Sequence, residues 1–340
     1  MSVLVTGGAG YIGSHTCVSL IESGYNVVVC DNLSNSERTM VEAVVELTGE
    51  PLNFYEVDIC DRENLDAVFK SQAEIGDAID SVIHFAALKS VGESVEKPDL
   101  YQKNNVGGTE VLLEVMKANG VEKIVFSSSC TVYGQPEVMP VDEGAPFLPA
   151  ESPYGKTKQD CEKLISESGV KAALLRYFNP VGAHPSAMIG ELPKGVPNNL
   201  IPFLTQTVAG HRNELVVFGD DYPTDDGSCV RDYLHIMDLA EAHVAALNTM
   251  KESMKASMKE DVRAFNLGTG RGTSVLEVIE EFETATGKKV PHRIGPRRDG
   301  DIVAIWADPS RAENELKWKA SRTIGEALSD AWRWQMKLDS

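Results

Sequence analysis

Hydrophobic residues near the N-terminus form two short runs with a helical pattern between them. The first run, at residues 2–6, is rich in β-branched residues and leads into glycines. Positions spaced as on one face of a helix follow at Ile12, Thr16, Leu20 and Ile21. The second run begins at residue 26 and ends at Asp31. The pattern predicts a strand, a glycine-rich turn, a helix and a second strand.

The alternation of strands and helices continues along the chain. Hydrophobic runs predict further strands at residues 52–57, 81–85, 123–127 and 172–177, and a helix spans about 100–119 before Gly120. Such alternation produces a parallel sheet with helices on both faces. We therefore predict an α/β fold, a Rossmann-type doubly wound parallel sheet with a smaller mixed α/β C-terminal domain.

The pattern changes after residue 179. Residues 180–230 contain many prolines and glycines and few regular runs, whereas residues 231–250 regain a helical spacing. We predict that one domain comprises residues 1–179 with 231–262, and that a second, substrate-binding domain comprises residues 180–230 and 263–340. In open sheets of this class, ligands bind beyond the carboxyl ends of the strands.

The glycine-rich turn suits a dinucleotide. Gly7, Gly10 and Gly13 follow the first strand as GxxGxxG rather than GxGxxG. In such turns the first glycine permits the turn, the second lets the backbone approach a pyrophosphate, and the third lets the helix lie close to the strand. The helix N-terminus offers N–H groups to the phosphates. Asp31 can bind ribose hydroxyls and repels a 2′-phosphate, so we predict NAD rather than NADP.

Tyr154 and Lys158 lie four residues apart, so on a helix they share one face. An ammonium group beside a phenol favours the phenolate and can lower a pKa of about 10 by roughly 1–3 units. We expect Tyr154 to act as a base near neutral pH. Two surface residues can also have this spacing, but the dinucleotide turn favours the catalytic interpretation.

Composition limits the functions open to the chain. Its 340 residues suffice for about two domains, and 42% hydrophobic with 24% charged residues is typical of a globular protein. A net charge of −19 disfavours binding to nucleic acid. The scattered cysteines indicate reduced thiols in the cytoplasm, and neither they nor the histidines predict a metal site. The sequence pattern predicts no secretory signal and no membrane association.

Several longer motifs make the chain similar to a known family. It resembles the extended short-chain dehydrogenase/reductase family, and within it the UDP-glucose 4-epimerases, also called UDP-galactose 4-epimerases, over nearly its whole length. Besides the glycine turn and the Tyr154/Lys158 pair, the resemblance rests on residues 85–89, 127–134, 179–184, 197–200, 221–224, 230–233 and 296–301.

The resemblance implies that NAD binds to the first domain. The implied NAD-binding residues are Gly7, Gly10, Tyr11, Ile12, Gly13, Asp31, Asn32, Asp58, Ile59, Phe85, Ala86, Lys89, Asn104, Ser127, Tyr154, Lys158 and Tyr177. Within this set Asp58 would accept from the adenine amino group. Its position after a strand also suits a helix N-cap or a turn residue.

The resemblance also implies a UDP-sugar site. Its residues are Ser129, Thr131, Asn179, Asn199, Leu200, Phe218, Arg231, Arg298 and Asp301. Proline and asparagine at residues 197–199 suit a helix start that faces a phosphate, and guanidinium groups suit a diphosphate. Phe218 would pack near the uracil, although an ordinary apolar strand residue is equally compatible with its position.

The implied activity is the reversible interconversion of UDP-galactose and UDP-glucose. NAD oxidises the sugar to a 4-keto sugar, and the hydride returns to the opposite face. The catalytic residues would be Tyr154, Ser129 and Lys158. Tyr154 takes the proton of the 4-hydroxyl, Ser129 bridges the two oxygens, and Lys158 keeps the phenol anionic.

The family resemblance suggests a homodimer, through helices near residues 100–118 and 152–168.

The implied reaction therefore has two steps, oxidation at sugar C4 and reduction of the same carbon from the other face. Other activities of the same fold need different residues. A nucleotide-sugar 4,6-dehydratase carries Thr-Asp-Glu where this chain has Ser129, Cys130 and Thr131, so elimination lacks its acid and base. A UDP-glucuronate decarboxylase is disfavoured for a similar reason. A non-catalytic NAD-sensing protein has no need for Ser129, Tyr154 and Lys158 together.

Ile305 bears on the choice of sugar. It lies four residues after Asp301, where relatives with a large aromatic residue handle only UDP-glucose and UDP-galactose. Relatives with a small residue there also admit N-acetylated sugars. Isoleucine is intermediate in size, and we expect the non-acetylated pair.

Overall fold

The computed structural model describes residues 2–253, 261–298 and 301–340. Residues 299 and 300 of the 296–301 motif therefore lie outside the described residues. The strands are β1 (Ser2–Thr6), β2 (Asn26–Asp31), β3 (Asn53–Glu56), β4 (Ile79–His84), β5 (Lys123–Ser129), β6 (Lys171–Tyr177), β7 (Asn179–Val181), β8 (Leu215–Phe218), β9 (Val230–Arg231), β10 (Tyr233–His235), β11 (Val262–Leu267), β12 (Thr273–Ser274), β13 (His292–Gly295) and β14 (Ala304–Ile305).

Helices cover both faces of a central parallel sheet with the strand order β11-β6-β5-β4-β1-β2-β3. The helices are α1 (Tyr11–Glu22), α2 (Arg38–Thr48), α3 (Arg62–Glu74), α4 (Val91–Glu96), α5 (Pro98–Tyr101), α6 (Gly108–Ala118), α7 (Pro153–Glu167), α8 (Leu200–Val208), α9 (Ile236–Ser253), α10 (Val275–Thr286) and α11 (Ile324–Leu338). One core lies between the sheet, α1 and α9, and another lies between the sheet, α3, α6 and α7. The predicted Rossmann-type fold is confirmed.

The prediction of one continuous helix at residues 100–119 is wrong. The segment is divided into α5, a π-helical turn at Gln102–Gly107, and α6. The turn directs Asn105 inward, where its side chain exchanges hydrogen bonds with the Leu88 backbone and donates to Thr157. Helical periodicity does not reveal this local change, because π-helical turns occur mostly as single turns within α-helices.

Among the described residues, the C-terminal part, from β7 onward, adds three small sheets beside the main one. They pair β7 with β10, β8 with β13, and β9 with both β12 and β14. Helices α8, α10 and α11 enclose a third core. Strand β11 belongs to the main sheet, beside β6, although it extends past residue 262. The division of the chain into two domains stays a prediction.

Helix α9 packs against α1 on the main sheet. Its residues Leu239, His243 and Leu247, which give the helical spacing in the sequence, are fully buried. Over the described ranges, no helix is long and apolar enough to cross a membrane.

Buried histidines should make the fold sensitive to acid. Burial lowers the pKa of His15 and His84 to about 3, and that of His235 and His243 to about 4, from 6.5. The unfolded chain therefore binds more protons than the folded one below pH 6.5, so stability falls as pH falls from 6.5 towards 4. Each such group adds a slope of about 1.4 kcal/mol per pH unit. Thermal unfolding measured across this window should show a steep loss of stability; a flat profile would contradict the burial of neutral imidazoles.

Candidate active site

The glycine-rich turn joins β1 to α1 and is closely packed. Gly7 has φ +73° and its amide donates to the Cys30 carbonyl at 2.7 Å. A methyl group at Gly13 would overlap the Gly7 carbonyl oxygen and approach Gly8 Cα to 2.8 Å. The first turn of α1 can lie against the loop only because residue 13 has no side chain.

Helix α1 begins directly after the glycine-rich turn. Gly10 is the N-cap residue and supplies no side chain to cap the amides, while Tyr11 and Ile12 form the first helical positions. The Tyr11 hydroxyl donates to the Gly182 carbonyl at 2.7 Å, which joins this helix to the C-terminal part. A helix start without a side-chain cap is a suitable place for an anion.

Asp31 ends β2 beside the turn. Its carboxylate accepts from the Ala9 amide at 3.0 Å, the Leu33 amide at 2.9 Å and the Ser36 hydroxyl at 2.8 Å. It is nearly buried, with 8% of its surface exposed. These donors fix the carboxylate at the end of the strand, where the sequence places a ribose ligand.

Asn32 and Asp58 meet at the carboxyl ends of β2 and β3. The Asn32 amide donates to the Asp58 carboxylate at 3.0 Å, and the Cys60 amide donates to the same carboxylate at 2.8 Å. The N-cap of α3 is Asp61 rather than Asp58, so the helix-cap alternative for Asp58 is wrong. Ile59 is buried below Gly108.

The loop after β4 passes over the end of β1. The amides of Phe85 and Ala86 both donate to the Thr6 carbonyl, at 2.9 and 3.1 Å. Lys89 lies farther along this loop, where its ammonium donates to Glu191 at 3.1 Å. The Asn104 side chain donates to Asn105 at 3.0 Å. Because Asn105 holds the Leu88 backbone, this pair of asparagines supports the loop from below.

Tyr154 and Lys158 both lie on α7, as the spacing predicts. The Lys158 ammonium lies 5.9 Å from the Tyr154 ring centroid and 4.9 Å from that of Phe126. It donates to the Ser127 carbonyl at 2.7 Å, so it holds α7 against the end of β5. Ser129 ends the same strand, and its hydroxyl accepts from the Thr131 amide at 3.2 Å.

The expected direction of the Tyr154 pKa shift is wrong for the protein alone. Burial raises the pKa of Tyr154 well above its usual value, and Tyr177 adds to the increase, whereas a hydrogen bond with Ser129 opposes it. Burial also lowers the pKa of Lys158 to about 8. The attraction between the two charges favours the phenolate, but the cost of removing each charge from water acts in the opposite direction.

Three further hydroxyl groups lie beside this helix and strand. The hydroxyls of Ser127 and Tyr177 form a hydrogen bond between β5 and β6. The Thr131 hydroxyl is buried and has no hydrogen-bond partner among the described residues. An unsatisfied buried hydroxyl costs free energy, which a polar ligand could recover.

Asn179, Asn199 and Leu200 belong to the C-terminal part. Asn179 begins β7, and its amide donates to the Asp232 carbonyl at 2.9 Å. Helix α8 begins at Leu200 after the N-cap residue Asn199, as the turn sequence predicts. The Asn199 side chain does not cap the helix; it donates to Glu191 at 2.7 Å.

Four residues of the predicted UDP-sugar site lie close together: Phe218, Arg231, Arg298 and Asp301. Asp301 accepts from Arg298 at 2.6 Å and lies 4.0 Å from Arg231. The Arg298 guanidinium lies 5.5 Å from the ring of Phe218, which is 41% exposed. Burial raises the pKa of the Cys130 thiol to about 11, and the positive charge of Arg231 opposes this increase.

Sequence reasoning missed three supporting residues. Glu162 and Arg176 form a buried ion pair at 2.6 Å, and Glu162 also accepts from Ser128 in β5. Glu162 lies four residues after Lys158, a helical spacing that could have identified it. Glu191 contacts Lys89, which lies 102 residues before it, and Asn199, which lies 8 residues after it. No sequence motif indicates these contacts.

Comparisons with known proteins agree with this arrangement. The GDP-mannose 4,6 dehydratase family model matches residues 4–331. A UDP-glucose 4-epimerase from Bacillus subtilis is 53% identical, and the match covers 98% of this chain and 97% of that protein.

Solved structures show the same similarity. A UDP-glucose-4-epimerase from Stenotrophomonas maltophila with bound NAD and formylated UDP-arabinopyranose is 49% identical with a TM-score of 0.94, over 100% of this chain and 99% of that one. The enzyme from Bifidobacterium longum in complex with NAD⁺ and UDP is 46% identical with a TM-score of 0.90, over 99% and 98%. The chain belongs to the UDP-glucose 4-epimerases of the extended short-chain dehydrogenase/reductase family.

Proposed function

We propose that this protein interconverts UDP-galactose and UDP-glucose by NAD-dependent epimerisation at C4 of the sugar. The observation that carries the proposal is the convergence of Tyr154, Lys158 and Ser129 at the carboxyl end of β5. Relatives with bound NAD and UDP support the choice of cofactor and substrate.

The glycine turn fits a dinucleotide. Gly13 allows α1 to approach the loop, and the uncapped helix start at Gly10 offers amides to a pyrophosphate. Asp31 binds the adenosine ribose, and Lys89, Asn104 and Lys158 hold the nicotinamide end. Bound NAD supplies an acceptor and then a donor for the two electrons of C4, and its positive ring favours ionisation of Tyr154.

Tyr154 removes the proton of the sugar 4-hydroxyl and later returns it. Ser129 bridges the sugar oxygen and the phenol, because a hydroxyl both donates and accepts. Lys158 favours the phenolate while its contact with the Ser127 carbonyl holds it in place. Burial and Tyr177 raise the pKa of Tyr154 and its hydrogen bond with Ser129 opposes the increase, so Ser129 also favours the phenolate.

The nucleotide must be held more firmly than the hexose. Arg231 and Arg298 neutralise the diphosphate, Asn179 and Asn199 donate to it, and Asp301 binds the uridine ribose. Thr131 offers its unpartnered hydroxyl to the sugar. Binding energy from these remote groups retains the keto sugar while its ring turns over to present the opposite face.

The structure disfavours the dehydratase alternative, even though the matching family model bears that description. Elimination needs an acid and a base beside the sugar. Where the dehydratases carry Thr-Asp-Glu, this chain has Ser129, Cys130 and Thr131, so Cys130 takes the place of the aspartate. Burial raises its pKa to about 11, so the thiol is not an effective base near neutral pH.

The proposal extends to the preferred sugar, the cellular compartment and the oligomeric state of the protein. Ile305 is 2% exposed and packs with Cys130, so we expect the non-acetylated sugars to be preferred. All six cysteines are free, which suits the cytoplasm. We further propose a homodimer, since Val95 and Leu100 expose 63% and 43% of their surface beside α7.

Tyr154→Phe should retain the fold and bound NAD but lower kcat about 10²–10⁴-fold, because the general base is removed. Conversion of UDP-galactose into UDP-glucose measures the effect, and UDP-N-acetylglucosamine tests the expected sugar preference in the same assay. Tyr25→Phe, which removes a phenol bonded to Asn248 away from the site, should remain active. A Tyr154→Phe rate within a factor of about three of wild type would exclude Tyr154 as the base.

Gly13→Ala should weaken NAD retention and lower thermal stability, because the new methyl group meets the backbone of Gly7 and Gly8. Gly92→Ala is the matched control, since a methyl group there meets nothing within 4 Å. NAD released on denaturation and the unfolding temperature measure both effects. Equal behaviour of the two variants would contradict the proposed role of the turn.

The homodimer is tested by sedimentation velocity at micromolar concentration. We expect a species of twice the 37.0 kDa chain mass. A monomer throughout the concentration range would contradict this part of the proposal.

A further inference from the structure

One carboxylate oxygen of Glu191 joins two residues of the proposed ligand sites. It accepts from the Lys89 ammonium at 3.1 Å and from the Asn199 amide at 2.7 Å. Lys89 follows β4 in the cofactor half, whereas Asn199 precedes α8 in the substrate half. Glu191 therefore lies where the two halves of the site meet.

The backbone of Glu191 is held from behind. The Trp334 indole donates to its carbonyl oxygen at 2.9 Å. The preceding residue, Gly190, leaves room for that indole, because a Cβ atom there would lie 2.5 Å from the ring. The side chain of Glu191 is only 12% exposed. Its position is thus set by α11 rather than by the surface residues that it contacts.

A second contact joins the same two segments. The Asn198 amide donates to the Ser90 hydroxyl at 3.3 Å, one residue along from each partner of Glu191. The loop after β4 and the turn before α8 therefore meet at two adjacent points. The contacts of Glu191 therefore belong to a continuous interface between these two segments and are not an isolated surface pair.

We propose that Glu191 is a positioning residue that orients Asn199 for the diphosphate and Lys89 for the cofactor, an inference that rests on the proposed function. A carboxylate accepts hydrogen bonds and cannot donate them. It therefore selects the orientation in which the Asn199 NH₂ group faces it. One N–H is used by Glu191, and the other remains to donate to a phosphate oxygen.

Removing the carboxylate has opposite effects under the two possible roles. If Glu191 orients Asn199, Glu191→Gln weakens UDP binding, because an amide no longer dictates which end of Asn199 faces it. If Glu191 is only a negative charge near a diphosphate, the same change tightens UDP binding by removing repulsion. The sign of the change in affinity separates the roles.

The experiment measures UDP binding to NAD-loaded protein by calorimetry, with UDP-galactose kinetics alongside. Glu191→Gln should weaken UDP binding and raise KM by about fivefold, the effect of one hydrogen bond, with kcat within about twofold. Glu313→Gln is the matched control, since it removes the carboxylate of another lysine pair, at 3.2 Å from Lys319. Unchanged or tighter UDP binding by Glu191→Gln would overturn the inference.

A double-mutant cycle tests the route through Asn199. In an Asn199→Ala background, Glu191→Gln should cause no further loss of UDP affinity. A full additional loss would overturn the assignment. Failure of the wild type to interconvert UDP-sugars would refute the proposed function, whereas normal turnover with an unaffected Glu191→Gln variant would refute only this inference.

Discussion

The hydrogen bond from the Lys158 ammonium to the Ser127 carbonyl is the contact on which the site depends. It spans 2.7 Å and fixes α7 to the end of β5. Through it, Tyr154 on the helix and Ser129 on the strand face the same space. The contact keeps a cation in a buried place, and the lowered pKa of Lys158 reflects that cost.

The ion pair between Glu162 and Arg176 supports that contact from below. Arg176 donates to both carboxylate oxygens of Glu162, and Ser128 donates to one of them. Loss of one partner from such a buried pair typically costs about 3–5 kcal/mol. Helix α7 is thus joined to β5 and β6 by charged side chains, which fix the positions of the proposed catalytic groups at its N-terminal end.

Local patterns were sufficient to predict the sheet, the glycine turn and the Tyr154/Lys158 pair, because each depends on residues close in sequence. They were insufficient where distant segments meet. The inward turn of Asn105 and the contacts of Glu191 follow from tertiary packing, which leaves no periodic signal. The pKa of Tyr154 was misjudged for the same reason, since burial is a property of the folded chain.

The central claim is that oxidation and reduction occur at the same sugar carbon without release of the transferred hydrogen. It is tested most directly with UDP-galactose that carries deuterium at C4. The account predicts UDP-glucose with deuterium retained at C4, since the hydrogen leaves and returns within one closed site. Product in which solvent hydrogen has replaced the label, or no conversion at all, would contradict it.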